Sequence, residues 1–398
     1  MKKIVYSILI PPFIISLLLG SCVSEIDGEA VLLLKYSESY MLPLAKGGLK
    51  FVPRWTLHEK EDTCFLAYHN IYSQHIEMYD FERKTYSRAI PLAQEGVDKV
   101  SVSEFALSEN DIIILGRQYI YRVSHTDSID GSVKSKTPIR SDEISSGNVP
   151  YENYYLSMNS NWGGESDFFD SKKGNCYLPI REEGRISLST DDLTSESIVC
   201  EIDMKRKSIN MLDIFFPDFV KEYEIFTLNP LWTDYIYPSL CVDEENMLIY
   251  NFRVSSKVYK YDLVKNQVIK QASINSAYTN NNMERVQGDV KSKKFINEVF
   301  NNRTTFGPVR YDKYRKLYYR IHSSPTEASY TNENESKKYY FCIFDQNFEK
   351  KGEVQLSDNL SIFYYGIKKD GIYFLSKEGT SEDVAQFEKY TITANKNQ

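Results

Sequence analysis

Short apolar segments that each end in a basic residue recur six times along the chain. Aligned without gaps, they occupy residues 64–69, 112–117, 176–181, 248–253, 317–322 and 372–377. Their first, third and fifth positions are nearly all apolar, which predicts β-strands with one face buried. A polar turn and another apolar run precede each segment, so each repeat begins as strand, turn, strand.

A third strand follows each of these pairs, and in four repeats it ends in aspartate. These aspartates are Asp80, Asp203, Asp262 and Asp345, while Ser124 and Thr391 stand at this position in repeats two and six. Asp or Ser at the start of a turn can accept hydrogen bonds from the amides that follow. A fourth strand comes next, such as residues 268–274. Four antiparallel strands repeated six times predict an all-β, six-bladed β-propeller.

The two ends of the chain fit a closed ring. The last repeat has only three strands, and the apolar run at residues 30–35 can supply the fourth strand and cover an open sheet edge. One propeller domain over residues 30–398 is therefore expected. Residues 276–306 depart from the repeat, and the spacing of apolar residues within them predicts a short helical insertion near 283–302.

The repeats resemble those of six-bladed, TolB-like propellers that occur in Gram-negative lipoproteins of unknown function. The starts of the aligned segments are 48 to 72 residues apart, and their mean spacing of about 62 is longer than a WD40 or kelch repeat. The chain also has no Trp-Asp dipeptide. The resemblance covers roughly residues 30–393. It implies a propeller fold and an envelope location, and it supplies no catalytic residues.

The first residues read as an export signal that ends at a cysteine. Lys2 and Lys3 precede an apolar run, and Leu19-Gly-Ser-Cys22 resembles the lipobox of bacterial lipoproteins. A membrane-spanning helix is the other interpretation, but the run is short and Pro11-Pro12 interrupts it. The resemblance implies a signal peptide at 1–21, lipidation of Cys22 and a tether at 22–29. Val23 follows instead of Asp, so we expect the outer membrane, with the leaflet left open.

Composition narrows the classes of function. Without Lys2 and Lys3, 46 basic residues face 55 acidic ones, a net charge of −9 that argues against general nucleic-acid binding. Tyr and Phe are abundant, as suits sheets. After Cys22 five cysteines remain, and their places in apolar runs predict small buried residues. A disulfide between Cys176 and Cys200 is the alternative.

The sixth residue of every aligned segment is basic, and we name these six residues the basic ring: His69, Arg117, Arg181, Arg253, His322 and Lys377. In a propeller they would lie near the face that carries the connections between strands two and three. A ring of cations in an acidic protein can attract an anionic ligand. Equally, basic residues often end strands because their stems cover apolar surface.

Tryptophans add a second feature to that face. Trp162 lies in a polar, Gly-rich segment beside Asn161 and Glu165, where an exposed indole suits a sugar or a protein partner. For Trp55 and Trp232 we expect packing in the core.

No established catalytic, nucleotide or metal motif occurs in the sequence, and the five histidines lack metal-ligand spacing. No cofactor is therefore expected. Two interpretations remain: a lipid-anchored propeller that binds a glycan, a peptide or a partner protein, and a glycan hydrolase or lyase with its site at the mouth of the channel. Two carboxyl groups facing each other across a cleft would favour the second interpretation.

Overall fold

The computed structural model contains six antiparallel sheets arranged as the blades of a propeller, and among the described residues it contains no α-helix. It describes residues 31–45, 55–60, 63–93, 99–100, 102, 104–108, 110–116, 119–124, 133–138, 154–156, 168–170, 172–182, 197–219, 237–282, 303–324 and 337–394. The prediction of an all-β, six-bladed propeller is confirmed. The helical insertion predicted near 283–302 lies outside the described residues.

The strands are, in chain order, β1 (Leu32–Pro43), β2 (Trp55–Lys60), β3 (Thr63–Asn70), β4 (His75–Asp80), β5 (Thr85–Pro91), β6 (Glu104–Leu107), β7 (Asp111–Leu115), β8 (Tyr119–Ser124), β9 (Val133–Pro138), β10 (Tyr154–Leu156), β11 (Phe169–Asp170), β12 (Asn175–Glu182), β13 (Val199–Asp203), β14 (Ser208–Met211), β15 (Ser239–Val242), β16 (Met247–Asn251), β17 (Lys257–Asp262), β18 (Gln267–Ser273), β19 (Thr305–Asp312), β20 (Leu317–Ser323), β21 (Tyr339–Asp345), β22 (Lys350–Gln355), β23 (Leu360–Lys368), β24 (Gly371–Ser376) and β25 (Val384–Ala394).

Each blade is a meander of four strands in which the first strand lies innermost. Blades one and two are β2–β5 and β6–β9, and blades four and five are β15–β18 and β19–β22. In blade three both β10 and β11 pair with β12, followed by β13 and β14. Blade six has the order β23-β24-β25-β1, so its outermost strand comes from the start of the chain.

The pairing of β1 with β25 closes the ring. The two strands are antiparallel from Leu32 opposite Ala394 to Pro43 opposite Val384. Leu32, Leu34 and Leu42 are buried, whereas Lys35 to Ser39 are exposed. The predicted closing strand is confirmed, and it continues eight residues beyond the predicted end. The sequence pattern did not predict this continuation, because the middle part of an outermost strand faces solvent and here consists mostly of polar residues.

Apolar cores fill the spaces between neighbouring blades. Side chains alternate along each strand, so one face packs on the preceding blade and the other on the following blade. Between blades two and three, for example, Ile113 and Leu115 pack in one cluster with Leu178 and Ile202. Each apolar core therefore lies between two neighbouring sheets, and each sheet contributes one face to each of two cores.

All five cysteines of the described chain are buried and free. The predicted burial is confirmed, and the alternative of a Cys176–Cys200 disulfide is not what the structure shows. Cys176 lies opposite Ile202 and Leu178 lies opposite Cys200, so the two cysteines are diagonal neighbours on adjacent strands. Burial raises the pKa of the Cys176 and Cys200 thiols well above its ordinary value.

Aspartates fix the turns between the third and fourth strands, as predicted. The Oδ1 atoms of Asp80, Asp203, Asp262 and Asp345 accept backbone N–H groups of the turns that follow at 2.8–3.0 Å. Asp170, Asp243 and Asp312 act in the same way in turns between first and second strands. Thr391 instead lies inside β25, because β1 joins from the other end of the chain and no turn is needed there.

Removing β1 should open the ring. A chain that begins at residue 44 loses the buried Leu32, Leu34 and Leu42 and leaves β25 as an unpaired edge, so we expect lower soluble yield and a lower midpoint of thermal unfolding. A chain that begins at residue 31 retains β1 and serves as the control. Equal unfolding midpoints for the two truncated chains would contradict closure by β1.

Candidate functional site

The propeller has two unlike ends. The turns between strands one and two and between strands three and four lie at one end, which we name the hairpin face. The connections between strands two and three, and from one blade to the next, lie at the other end, which we name the connection face. The basic ring was predicted for the connection face.

The described members of the basic ring do not form an open ring. His69, Arg253 and His322 are buried, with at most 3% of their surface exposed. Lys377 is exposed, and its Nζ donates to the main-chain oxygen of Asp358 at 2.8 Å. The remaining predicted site residues, or their side chains, lie outside the described part: Arg117, Arg181, Trp162, Asn161 and Glu165. Ligand binding by this set stays a prediction.

His322 is not equivalent to the other members of the ring. In the other five blades the first aligned residue packs on the preceding blade, as Leu248 does in blade four. In blade five Leu317 packs on the following blade and Tyr318 on the preceding one, so the alignment there is one residue out of register. A shift of one residue reverses which face a side chain occupies. The equivalent of the sixth position in blade five is Ser323, not His322.

His322 belongs to a buried hydrogen-bond network between blades four and five. Its Nε2 lies 2.8 Å from Oε1 of Glu353 and 3.0 Å from Oγ of Ser276. Burial lowers the pKa of His322, so the neutral ring with a protonated Nε2 donates to the carboxylate. Burial alone would raise the pKa of Glu353, but hydrogen bonds from His322, Ala277 and Ser276 outweigh burial and lower it to about 2.

Arg320 holds the same two blades together. Its guanidinium donates to the main-chain oxygens of Ser256 and Ile274, both at 2.9 Å, and lies over the ring of Phe306. Burial lowers the pKa of Arg320 to about 10. Close to this interface, burial and the charge of Arg253 lower the pKa of Lys337 to about 7. Basic residues at this interface therefore serve the packing of blades.

Trp55 packs in the core, as predicted. It is 2% exposed, and its ring meets Phe387 edge to face with the ring centroids 5.0 Å apart. This contact joins blades one and six. The position of Trp232 lies outside the described residues.

A cavity of about 260 Å³ lies at the hairpin face, where five blades meet around the central channel. We name it the channel mouth. Its wall includes His58 and Glu59 of blade one, Lys172 of blade three, and Lys313 and Tyr314 of blade five. The Tyr314 hydroxyl donates to the Glu59 carboxylate. This hydrogen bond links blade five to blade one across the channel mouth.

A wider cleft of about 1000 Å³ adjoins the channel mouth and lies between blades two and three. We name it the side cleft. Arg122 stands on the blade-two wall, whereas Lys173 and Lys205 stand on two turns of blade three. Phe169 and Lys172 line both cavities, so the two form a continuous depression.

Sequence reasoning missed both cavities, although it located the turns that build them. The signal was present as basic residues in two turns of one repeat, Lys172-Lys173 and Lys205-Arg-Lys207. Only the assembled blades show that these turns face Arg122 and His58.

The acidic residues at the two cavities already take part in structural contacts. Asp243 accepts the Tyr318 hydroxyl at 2.9 Å and lies 3.5 Å from the Lys260 ammonium. Oδ2 of Asp111 accepts the Nε–H of Arg122 at 2.5 Å. Among the described residues no group of His, Cys, Asp and Glu is arranged to hold a metal ion. Within the same part of the chain, no helix has the length and apolarity to cross a bilayer.

Comparison with known proteins shows the family. The profile of the domain of unknown function DUF4221 matches residues 49–355. The chain belongs to the DUF4221 family. A crystal structure of a DUF4221 member from Bacteroides vulgatus ATCC 8482 superposes on the chain with a TM-score of 0.73 at 16% identity, covering 92% of this chain and 100% of that one. At this identity the likeness shows a shared fold.

Two more distant structures resemble this DUF4221 chain. A luciferin-regenerating enzyme gives a TM-score of 0.44 at 11% identity, covering 89% of this chain and 95% of that one. The hydrazine synthase of Kuenenia stuttgartiensis gives 0.41 at 10% identity, covering 85% and 78%. Nothing about this chain follows from their activities. No curated protein matches the sequence.

Glu353→Gln should lower stability in a pH-dependent way. The folded pKa of Glu353 lies below the ordinary 4.5, so its charge stabilises the fold above about pH 4.5 and stops doing so as the pH falls towards 2. We expect a loss of up to about 3 kcal/mol at neutral pH that shrinks through this window. Urea unfolding across the pH range measures it.

Glu349→Gln is the matched control, because Glu349 is an exposed carboxylate on the same hairpin, paired with Lys351. We expect less than about 1 kcal/mol for it at every pH. A Glu353→Gln effect of constant size from neutral to acid pH would show that the carboxylate charge contributes nothing.

Proposed function

We propose that this DUF4221 propeller is a binding or scaffold protein held at the outer membrane through lipid on Cys22. It takes a glycan, a peptide or a partner protein at the hairpin face. The observation that carries the proposal is the continuous depression formed there by the channel mouth and the side cleft, lined by five and three blades respectively. Ligand sites are concave and combine apolar with polar lining groups. Both cavities combine the two kinds, and charged and polar side chains predominate in the side cleft.

Binding is favoured over glycan hydrolysis by the state of the carboxylates. A glycosidase needs one carboxyl group free to give a proton and a second to act as base or nucleophile. At the channel mouth Glu59 already accepts the Tyr314 hydroxyl, and Asp243 is held by Tyr318 and Lys260. Carboxylates held in this way stabilise the wall of the cavity and are not free to exchange protons with a substrate.

The hairpin face also suits binding because its turns are rigidly built. The carboxylates of Asp170, Asp243 and Asp312 each fix the backbone of one turn at this face. Side chains presented by such turns lose little freedom when a ligand arrives, which lowers the entropic cost of binding.

The face used for binding can be tested on an array of oligosaccharides and peptides with the full chain in detergent. Lys313→Ala removes an exposed side chain of the channel mouth and should reduce binding of the array ligands several-fold, because the lost contact is at the site. Lys377→Ala, an exposed lysine of the connection face, is the matched control. The reverse pattern, with only Lys377→Ala losing binding, would move the site to the basic ring.

The anchor can be tested separately. Cys22→Ser removes the thiol that would carry the first acyl chain, so the protein should lose palmitate label and no longer partition into detergent. Metabolic labelling with fractionation of membranes measures both. Labelling that persists in Cys22→Ser would disprove the anchor and leave the proposal of a binding face untouched.

A further inference from the structure

The side cleft carries a charge opposite to that of the whole chain. Its walls hold two acidic residues, Glu59 and Asp111, against five basic ones, Arg122, Lys172, Lys173, Lys205 and Lys207. This leaves an excess of three positive charges in a protein whose net charge is −7. A concave surface of one sign focuses the field and concentrates ligands of the other sign.

Much of this positive charge is not neutralised by the protein. Arg122 forms an ion pair with Asp111, whereas Lys172 donates to a neutral acceptor, the main-chain oxygen of Glu244, at 3.1 Å. Within the described part of the chain, Lys173, Lys205 and Lys207 have no ion pair. All three are exposed, and all three project from the two hairpins of blade three.

The fold does not need these lysines where they stand. Asp170 and Asp203 fix the two hairpins by accepting backbone N–H groups, including those of Lys173 and Lys205. Any residue with a backbone N–H can fill those two positions. Lysine side chains are costly to immobilise and gain little from isolated surface pairs. Two adjacent basic hairpins facing one cleft therefore point to a ligand.

The rest of the cleft limits what that ligand is. A volume of about 1000 Å³ exceeds the size of a simple inorganic anion and suits an extended molecule. Ser108, Asn110 and Ser135 give the blade-two wall neutral polar side chains, and the Ser108 hydroxyl donates to the main-chain oxygen of Asp111 at 3.0 Å. Phe169 adds an aromatic surface of intermediate exposure. Hydroxyl-rich rings that carry acidic groups match this combination of hydrogen-bonding, apolar and cationic walls.

We propose that the side cleft binds an acidic oligosaccharide, whose carboxylate or sulfate groups meet the lysines of blade three. This inference rests on the proposed binding function and names the class of ligand for it. The lysines supply attraction over a distance, and the Ser135 hydroxyl on the blade-two wall can hydrogen-bond a sugar hydroxyl. Attraction between exposed charges is screened by salt, so affinity falls as ionic strength rises.

The test measures binding of defined probes to the full chain in detergent by titration calorimetry. The probes are galacturonate oligomers, sulfated chondroitin oligomers, neutral cellulose-type oligomers, a polyglutamate peptide and sodium sulfate. We expect at least one acidic oligosaccharide to bind, and Lys173→Glu/Lys205→Glu to weaken it about tenfold or more. Arg83→Glu is the matched control, since Arg83 occupies the equivalent turn of blade one, away from the cleft.

The outcomes separate this inference from the proposed function. Preference for neutral oligomers or for polyglutamate, or equal affinity in the double variant, overturns the acidic oligosaccharide but leaves a binding propeller. Sodium sulfate that competes at the same concentration as the oligomer also overturns it, because the site then holds a simple anion. If no array ligand and no probe binds the chain, both proposals fall. Thermal unfolding of the double variant at the wild-type midpoint confirms that the fold is retained.

Discussion

The hydrogen-bonded pairing of β1 with β25 is the interaction on which the rest of this propeller depends. The apolar cores form only between neighbouring blades, so each core is made by two sheets and a gap in the ring weakens two cores at once. Strand β1 gives Leu32 and Leu34 to the core between blades five and six, and Leu42 to the core between blades six and one. Gly352 lies so close to Leu32 that an added Cβ would meet its carbonyl oxygen at 2.0 Å. Strand β1 therefore stabilises the cores on both sides of blade six.

The interface between blades four and five adds buried polar contacts to its apolar core. Arg320, His322 and Glu353 are buried there, and burying such groups costs free energy that their hydrogen bonds must offset. The Nη atoms of Arg320 donate to the carbonyls of Ser256 and Ile274, and Nε2 of His322 lies 2.8 Å from the Glu353 carboxylate. Directional contacts of this kind fix the relative position of two sheets, which alternating apolar side chains alone define less strictly.

The fold could be predicted from the sequence because two local rules repeat. Apolar side chains alternate along the strands, and turn aspartates such as Asp262 recur at the ends of third strands. The register of blade five could not be predicted, because Leu317 and Tyr318 are both apolar and alternation does not decide between them. The full length of β1 was hidden for a related reason, since its exposed middle residues are polar.

The candidate site could not be predicted from the sequence for a different reason. Arg122, Lys173 and Lys205 belong to separate hairpins, and no period or spacing connects them in the chain. Basic side chains at strand ends gave a regular pattern, yet burial of His69 and Arg253 shows that regularity in sequence can reflect packing between blades. The charged side chains of the candidate site stand mainly on turns. Which turns lie next to each other depends on how the blades are arranged in the ring.

The direction of β1 also sets the orientation of the propeller on any surface to which its N-terminus is attached. Because β25 runs towards the hairpin face and β1 is antiparallel to it, Leu32 begins at the hairpin face. Nine residues lie between Cys22 and Leu32, and ten fully extended residue steps span at most about 35 Å. An anchor at Cys22 would thus keep Leu32, at the outer edge of the hairpin face, within that distance of the lipid. Polymers rooted in the same membrane would then be within reach, whereas large soluble particles would meet the opposite end of the propeller first.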